Sequence, residues 1–336
     1  MTKRGTWELL NTMPVLELIP DSVLIKVETT ALNPLDWKLP EFSLSPGSVG
    51  GSDFCGTVTA IGSDSLPKSL LVGDRVCGWV FGSNPQRPGN GAFAEYVTAF
   101  SDLVMKVPSW MSSEDACTLA LASATAGQAL YWSLQLPLPT APAESPFYVL
   151  VNGGSTATGT MAIQLLKLSG LIPITTCSPH NFDVVQSYGA KAAFDYRSPT
   201  CVDDIQAYTN NSITHVLDCI STPPSMALCY KYTALEPYST RISASRSDVT
   251  ADWVLLLTQF GELVGLSGVY AREARPQDRV WMRHWYEVVE RLVLEKKLRP
   301  HPREIFGSGG LLPIVDGLER LKSGKVSGTK LVCRVA

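Results

Sequence analysis

The sequence predicts an α/β fold of two domains: a partly open antiparallel β-barrel, and a doubly wound parallel sheet. Three observations lead there. The first ~110 residues carry short alternating apolar runs broken by Gly and Pro, the pattern of a small β domain. From about Ser112 the apolar period turns helical, and from Phe147 strands alternate with helices, as in a parallel sheet. Where that alternation starts, Phe147 to Gly170 (FYVLVNGGSTATGTMAIQLLKLSG) runs an apolar strand into a loop of small residues and then a helix. That order builds a nucleotide-phosphate site, because the free N–H groups of a helix N-terminus favour anions.

Each element follows from its pattern. Ser22 to Thr30, Gly56 to Gly62, Asp74 to Phe81 and Ala92 to Thr98 read as half-buried strands. The stretch from Ser112 to Leu134 reads as a helix, with Ser112 or Ser113 as its N-cap and acids in its first turn. Pro137 to Pro146 is a linker. Parallel strands are expected at 147–151, 171–176, 192–195, 215–219 and about 240–244, with another near 262–269. Asp278 to Lys297 is a long helix stopped by Pro300 and Pro302. A strand, a short helix (Leu311 to Ser323) and a last strand (Lys330 to Val335) return to the first domain. The domains are therefore drawn as 1–122 with 298–336, and 123–297.

In the loop, Gly153 and Gly154 permit a tight turn. The pattern Gly154-x-Thr156-x-x-Gly159 places Thr where the dinucleotide fingerprint has its central Gly. Gly154, Ser155, Thr156, Ala157, Thr158 and Gly159 are the expected pyrophosphate cradle; the alternative is an ordinary strand-to-helix turn. The second strand ends in Cys177-Ser178-Pro179-His180-Asn181, without the carboxylate that would bind a ribose 2′-hydroxyl. Ser178 and Asn181 offer neutral donors to a 2′-phosphate, and Tyr196 with Arg197 follow the third strand, so NADPH is the expected cofactor. The alternative is that Ser178 and Asn181 merely cap the next helix, and the two roles are compatible.

Composition narrows the function. The chain has 336 residues and a net charge of -3, enough for two cores and with no basic face to bind nucleic acid. No run has the length of a membrane span, and the N-terminus lacks an apolar signal core; a cytoplasmic protein is expected. The eight cysteines are scattered without C-x-x-C pairs and read as small buried hydrophobes in a reducing compartment. No Ser-His-Asp arrangement can be assembled from the four histidines.

Four motifs then occur in order. They are Ala31-Leu32-Asn33-Pro34-Leu35-Asp36-Trp37-Lys38, Gly51-Ser52-Asp53-Phe54-Cys55-Gly56, Val72-Gly73-Asp74-Arg75-Val76 and Gly91-Ala92-Phe93-Ala94-Glu95-Tyr96. With the nucleotide-binding pattern behind them, they resemble the zinc-independent medium-chain dehydrogenase/reductase superfamily along nearly the whole chain. The stretches from Gly153, Thr175, Gly189 and His215 sharpen the resemblance to fungal trans-acting enoyl reductases of polyketide synthases, of the lovastatin type. The resemblance implies a GroES-like catalytic domain and a Rossmann domain. It also implies a monomer that reduces an α,β-unsaturated thioester on the acyl carrier domain of a polyketide synthase or a polyketide synthase–peptide synthetase hybrid.

Zinc-dependent relatives carry a Cys or His near Asn33–Asp36 and a His near Ser52. Neither is present, so no metal is expected. The sequence departs from the family in three places. Gly5 to Leu9 looks like the family's second element, so its first strand is expected to be missing. Leu35 and Trp37 are bulky, and Glu236-Pro237-Tyr238 replaces a Gly pair.

The chemistry implied is hydride delivery to the β-carbon while negative charge grows on the thioester oxygen. Lys38 is the candidate donor to that oxygen, or a solvated lysine after a turn. Asp36 either orients Lys38 or caps the turn. The Asn33 amide reaches nicotinamide or substrate, or only marks the Asn-Pro turn. Thr125 contacts the reactive centre, or packs between helices. Lys330 lies by the cofactor, or merely flanks a strand. Arg272, Arg275, Arg279 and Arg283 form either a carrier-docking patch or a solvated helix face. The residues around Asp252 to Phe260 line an acyl pocket, or are core. Two other readings stay open: a stand-alone quinone or enone reductase, and a non-redox isomerase, cyclase or partner protein on the same fold.

Overall fold

A computed structural model describes residues 7–13, 16–42, 45–66, 69–233, 249–307 and 309–335. They group into two units, 1–124 with 255–336, and 125–254.

The first unit opens with β1 (Ser22–Ala31), α1 (Pro34–Phe42), β2 (Asp53–Ile61), β3 (Arg75–Trp79), β4 (Tyr96–Phe100) and β5 (Val104–Lys106). Two short helices follow, α2 (Ser113–Ala116) and α3 (Ala120–Gly127), with Ser112 capping α2 through its side chain. The helix expected from Ser112 onward is therefore broken, and ends in a π-helical turn, Gln128–Ser133.

The second unit alternates β6 (Tyr148–Asn152), α4 (Ala157–Leu168), β7 (Ile172–Cys177), α5 (Phe182–Ser187), β8 (Ala193–Asp195), α6 (Cys201–Thr209), β9 (His215–Asp218) and α7 (Pro223–Tyr232). The chain then returns to the first unit through α8 (Pro276–Leu294), β10 (Arg303–Ile305), α9 (Pro313–Lys322) and β11 (Lys330–Arg334).

In the first unit the strands run in the order β10-β11-β1-β2-β3-β5, with β4 also paired to β1. Alternation decides which face is inside: Val23, Ile25 and Val27 are buried while Lys26 between them is exposed. They pack with Phe54, Val58, Val76 and Val97. A second cluster, with Leu32, Phe306, Ile314, Leu318 and Leu331, fills the space under α9.

In the second unit the sheet order is β8-β7-β6-β9, and every pairing is parallel. Leu150, Ile174, Ile205, Ile213 and Tyr232 form its core. All eight cysteines are free thiols, and six of them are fully buried.

Two sequence expectations need correction. The segment near 262–269 is not a strand of the parallel sheet. It makes one isolated bridge, Val264 to Arg272, and turns into a 3-10 helix at Gly268–Tyr270; its glycines weaken strand pairing. The domain boundary also moves, because residues 255–297 group with the first unit. Burial explains it. Met282, Trp285, Tyr286, Val289 and Val293 line one face of α8, and the Trp285 indole N–H donates to Ser123 O at 2.9 Å.

Arg279 fixes the other end of α8. It donates to Asp102 and to Asp21, each at 2.7 Å, and lies 3.9 Å above the Phe100 ring. The strand expected at 240–244 and Glu236-Pro237-Tyr238 lie outside the described residues, as do Gly5 and Thr6. Residues 7–13 form no regular element.

Replacing Arg279 by Ala strands two carboxylates, and should cost about 2 kcal/mol, less than loss of a fully buried pair. Arg279→Lys should recover little, since an ammonium cannot bridge both carboxylates in a fork. Thermal melting of the two variants checks both statements.

Candidate active site

Nucleotide-binding geometry begins where β6 ends. Asn152 closes the strand and Gly153 turns the chain with φ +83, a conformation that disfavours any residue with a side chain. Gly154 lies against Thr175, whose hydroxyl oxygen would collide with a Cβ at that position.

Thr156 explains the departure from the fingerprint. It is the N-cap of α4: its Oγ1 accepts from the Gly159 N–H at 2.9 Å and donates to Gly153 O at 2.9 Å. The hydroxyl thus closes the turn that a central Gly would otherwise leave open. Ser155, Thr156, Ala157 and Thr158 are half-buried at the start of a helix of 12 residues. A cradle of small residues at such a helix start fits a pyrophosphate.

The neighbouring strand ends complete this region. β7 and β8 pair Cys177 with Asp195, so Ser178 and Tyr196 leave adjacent strands side by side. Ser178 is half-buried and Asn181 buried, and neither side chain makes a cap hydrogen bond. Tyr196 is exposed.

One network here escaped the sequence reading. Thr176 donates to Asn152 Oδ1 at 2.5 Å, Asn152 Nδ2 to Asp218 Oδ1 at 2.9 Å, and Ser225 to Asp218 Oδ2 at 2.7 Å. It ties the ends of β6, β7 and β9 together at the edge where doubly wound sheets bind ligands. Its only sequence signal is a polar residue at or next to the end of each apolar strand.

The first unit holds a second, charged network. Lys330 Nζ lies 2.5 Å from Asp53 Oδ2, with both side chains almost wholly buried. Asn33 Nδ2 donates to the same oxygen at 3.0 Å and to Ala31 O at 3.2 Å. The other oxygen of Asp53 accepts the Leu121 N–H at 2.9 Å. Asp36 Oδ2 accepts the Asn33 N–H, and its Oδ1 accepts the Ser52 hydroxyl, both at 2.7 Å.

Burial pushes the Asp36 carboxyl up to about 7, against the lowering effect of the Ser52 and Asn33 hydrogen bonds; Asp53 adds to the rise and Lys330 opposes it. His301 is pushed down to about 3 by burial, with Lys330 adding to the effect.

The structure therefore joins Asn33, Asp36 and Lys330, and adds Ser52 and Asp53, which the sequence reading quoted in a motif without assigning a role. Lys330 was expected by the cofactor or as a lysine flanking a strand; its ammonium pairs with Asp53. Lys38 stands apart from this network. It is exposed on α1, with its ammonium 5.6 Å from the Trp37 ring centroid. Thr125 is half-buried in α3 and is the first residue of the second unit.

The expected arginine patch does not hold as drawn. Arg279 is paired as described, Arg275 pairs with Asp278 at 3.4 Å, and Arg272 donates to Val269 O and Ala271 O. Around Asp252 to Phe260 the core reading applies to the last four residues, with Leu257 to Phe260 buried in the first unit and Phe260 packed 4.5 Å from Trp79. Elsewhere in that unit, Trp7, Leu9, Phe93, Leu311 and Ile314 help line a cavity of about 690 Å³.

Comparison with known proteins gives a consistent result. Residues 19–109 match the alcohol dehydrogenase GroES-like domain, and residues 157–266 match the zinc-binding dehydrogenase family. The chain is 45% identical to the trans-enoyl reductase caaB of Aspergillus niger, over 98% of this chain and 94% of that protein. It is 46% identical to the trans-enoyl reductase FSL5 of Gibberella zeae, with the same coverage of 98% and 94%. Among solved structures, an alcohol dehydrogenase superfamily protein from Novosphingobium aromaticivorans superposes with a TM-score of 0.74 at 20% identity, covering 100% of this chain and 98% of that one.

The donor set does not fit zinc. Among the described residues no three His, Cys, Asp or Glu side chains come together as ligands, and the paired carboxylates of the charged network are already engaged by Lys330, Asn33 and Ser52.

The neutral form of Asp36 sets a pH dependence. Its folded pKa of about 7 exceeds the ordinary value of 3.8, so the folded state holds its proton over that interval. The associated stability is complete below the ordinary value and is lost as pH rises through about 7. An Asn at this position can accept the Asn33 N–H and donate to Ser52 while carrying no charge. Asp36→Asn should therefore raise Tm most at about pH 8, by less at about pH 5, and hardly at all at about pH 4, near the ordinary value; equal shifts across this range would refute the assignment.

Proposed function

Because the chain belongs to the trans-enoyl reductases of the medium-chain dehydrogenase/reductase superfamily, we propose that it reduces the α,β-double bond of a polyketide enoyl thioester held on an acyl carrier domain of a synthase, with NADPH as reductant. The observation that carries this reading is 45% identity over 98% of the chain to a named trans-enoyl reductase.

Bound nicotinamide supplies the hydride for the β-carbon. The chain's own residues hold and polarise. The turn from Gly154 to Gly159 receives the pyrophosphate, aided by the N-terminal end of α4. Ser178, Asn181 and Tyr196, with Arg197, receive the 2′-phosphate. The absence of a carboxylate at the end of β7 supports NADPH over NADH.

Charge on the thioester oxygen is met by the exposed ammonium of Lys38, and the Thr125 hydroxyl is the second unit's contact to substrate or cofactor. Asn33 faces the reacting groups with its backbone and its side chain both held. Its N–H is held by Asp36 and its amide by Asp53. Asp36 and Lys330 thus act through Asn33, as positioning residues. The cavity whose lining includes Leu311 and Ile314 has room for an alkyl chain along those two side chains.

The direct test follows reduced-nicotinamide absorbance with an enoyl thioester on pantetheine or on a carrier domain. NADPH should be consumed, NADH more slowly, and the carrier-bound thioester preferred. Consumption only with a quinone would favour a small-molecule reductase. NADPH binding without turnover of any acceptor would favour a non-redox role.

Replacing Lys38 by Met should lower kcat by about 10²-fold, the usual loss for one donor to a developing oxyanion. KM and Tm should change little, because the side chain is exposed. A Lys38→Met enzyme with unchanged kcat would remove Lys38 from the chemistry.

A further inference from the structure

The turn after β8 holds a cation and an anion together where the ribose phosphate is expected. Asp195 ends β8, and its pairing with Cys177 brings this turn out beside Ser178. Asp195 accepts three hydrogen bonds from Arg197. The backbone N–H donates to Oδ1 at 3.1 Å, Nε to Oδ1 at 3.0 Å and Nη2 to Oδ2 at 3.3 Å. The guanidinium carbon lies 5.6 Å from the Tyr196 ring centroid. The pair is open to solvent, with the Arg197 side chain 57% exposed. Two guanidinium N–H groups meeting two carboxylate oxygens is also the geometry in which arginine binds a phosphate. Asp195 therefore occupies the donors that a phosphate would take.

We propose that Asp195 is a specificity-determining residue, an internal anion that holds the Arg197 fork until a ribose 2′-phosphate displaces it. The proposal rests on the NADPH reading above. The phosphate exchanges one ion pair for another, and the displaced carboxylate stays close enough to repel it. A 2′-hydroxyl neither competes for the fork nor meets that repulsion. Asp195 thus weakens binding of NADP(H) and leaves NAD(H) unaffected.

Asp195→Asn separates the charge from the fold. The amide oxygen still accepts the Arg197 N–H and keeps the turn, while the negative charge is gone. The intact protein is titrated with NADPH, NADH, 2′,5′-ADP and 5′-AMP, and binding is followed by calorimetry. The variant should bind NADPH and 2′,5′-ADP about fivefold more tightly, the size expected for an exposed ion pair. Affinity for NADH and 5′-AMP should not move. The gain should shrink at high salt, and Arg197→Ala in the Asp195→Asn background should abolish it.

No change, or equal changes for phosphorylated and unphosphorylated ligands, overturns the proposal. So does weaker NADH binding, which would make Asp195 an acceptor for the ribose hydroxyl. If the unaltered protein binds NADH as tightly as NADPH, the cofactor reading itself fails, whatever the variant does.

Discussion

The buried ion pair between Lys330 and Asp53 is the constraint on which the first unit depends. Charges taken out of water must be matched at once or the fold loses several kcal/mol. Every oxygen of the Asp53 carboxylate is matched: one by Lys330 and Asn33, the other by the Leu121 N–H. Four segments far apart in sequence are thereby tied to one group: the residues after β1, the start of β2, the start of α3 and the start of β11. The last strand of the chain consequently sits inside the sheet, between β10 and β1. The turn bearing Asn33 cannot shift without stranding a charge.

The second unit solves a similar problem with mostly neutral groups. Asn152, Thr176 and Ser225 gather around a single carboxylate, Asp218, at the ends of three parallel strands. Next to them, Thr156 satisfies its own helix start. The nucleotide end of this sheet is thus arranged by internal hydrogen bonds, so little ordering is left for a ligand to impose.

Much of this was legible in the sequence, because alternation and turn residues are local. β1, α8 and α9 follow from runs that bury one face, and α4, β7 and β11 from runs buried nearly throughout. The cradle was legible too, although Thr156 had to be seen in three dimensions before it read as a cap rather than a mismatch. What stayed hidden was long-range. Asp53 and Lys330 are 277 residues apart, and no local pattern marks them as partners. The place of α8 was misjudged for the same reason. Arg279 reads as one arginine of a surface patch until Asp21, Asp102 and Phe100 are brought beside it. The segment near Val264 shows the opposite failure: its apolar run suggested a strand, but Gly261, Gly265 and Gly268 interrupt any ladder.

The eight free cysteines have a chemical consequence. An α,β-unsaturated thioester is an electrophile, and a thiolate is the protein nucleophile that adds to it most readily. Burial raises every one of these thiols, Cys55 and Cys219 to about 12 and Cys177 to about 11, with Cys77, Cys117, Cys201, Cys229 and Cys333 also raised. At neutral pH almost none of them ionises. Kept as thiols rather than thiolates, these cysteines are poor nucleophiles towards a conjugated acceptor.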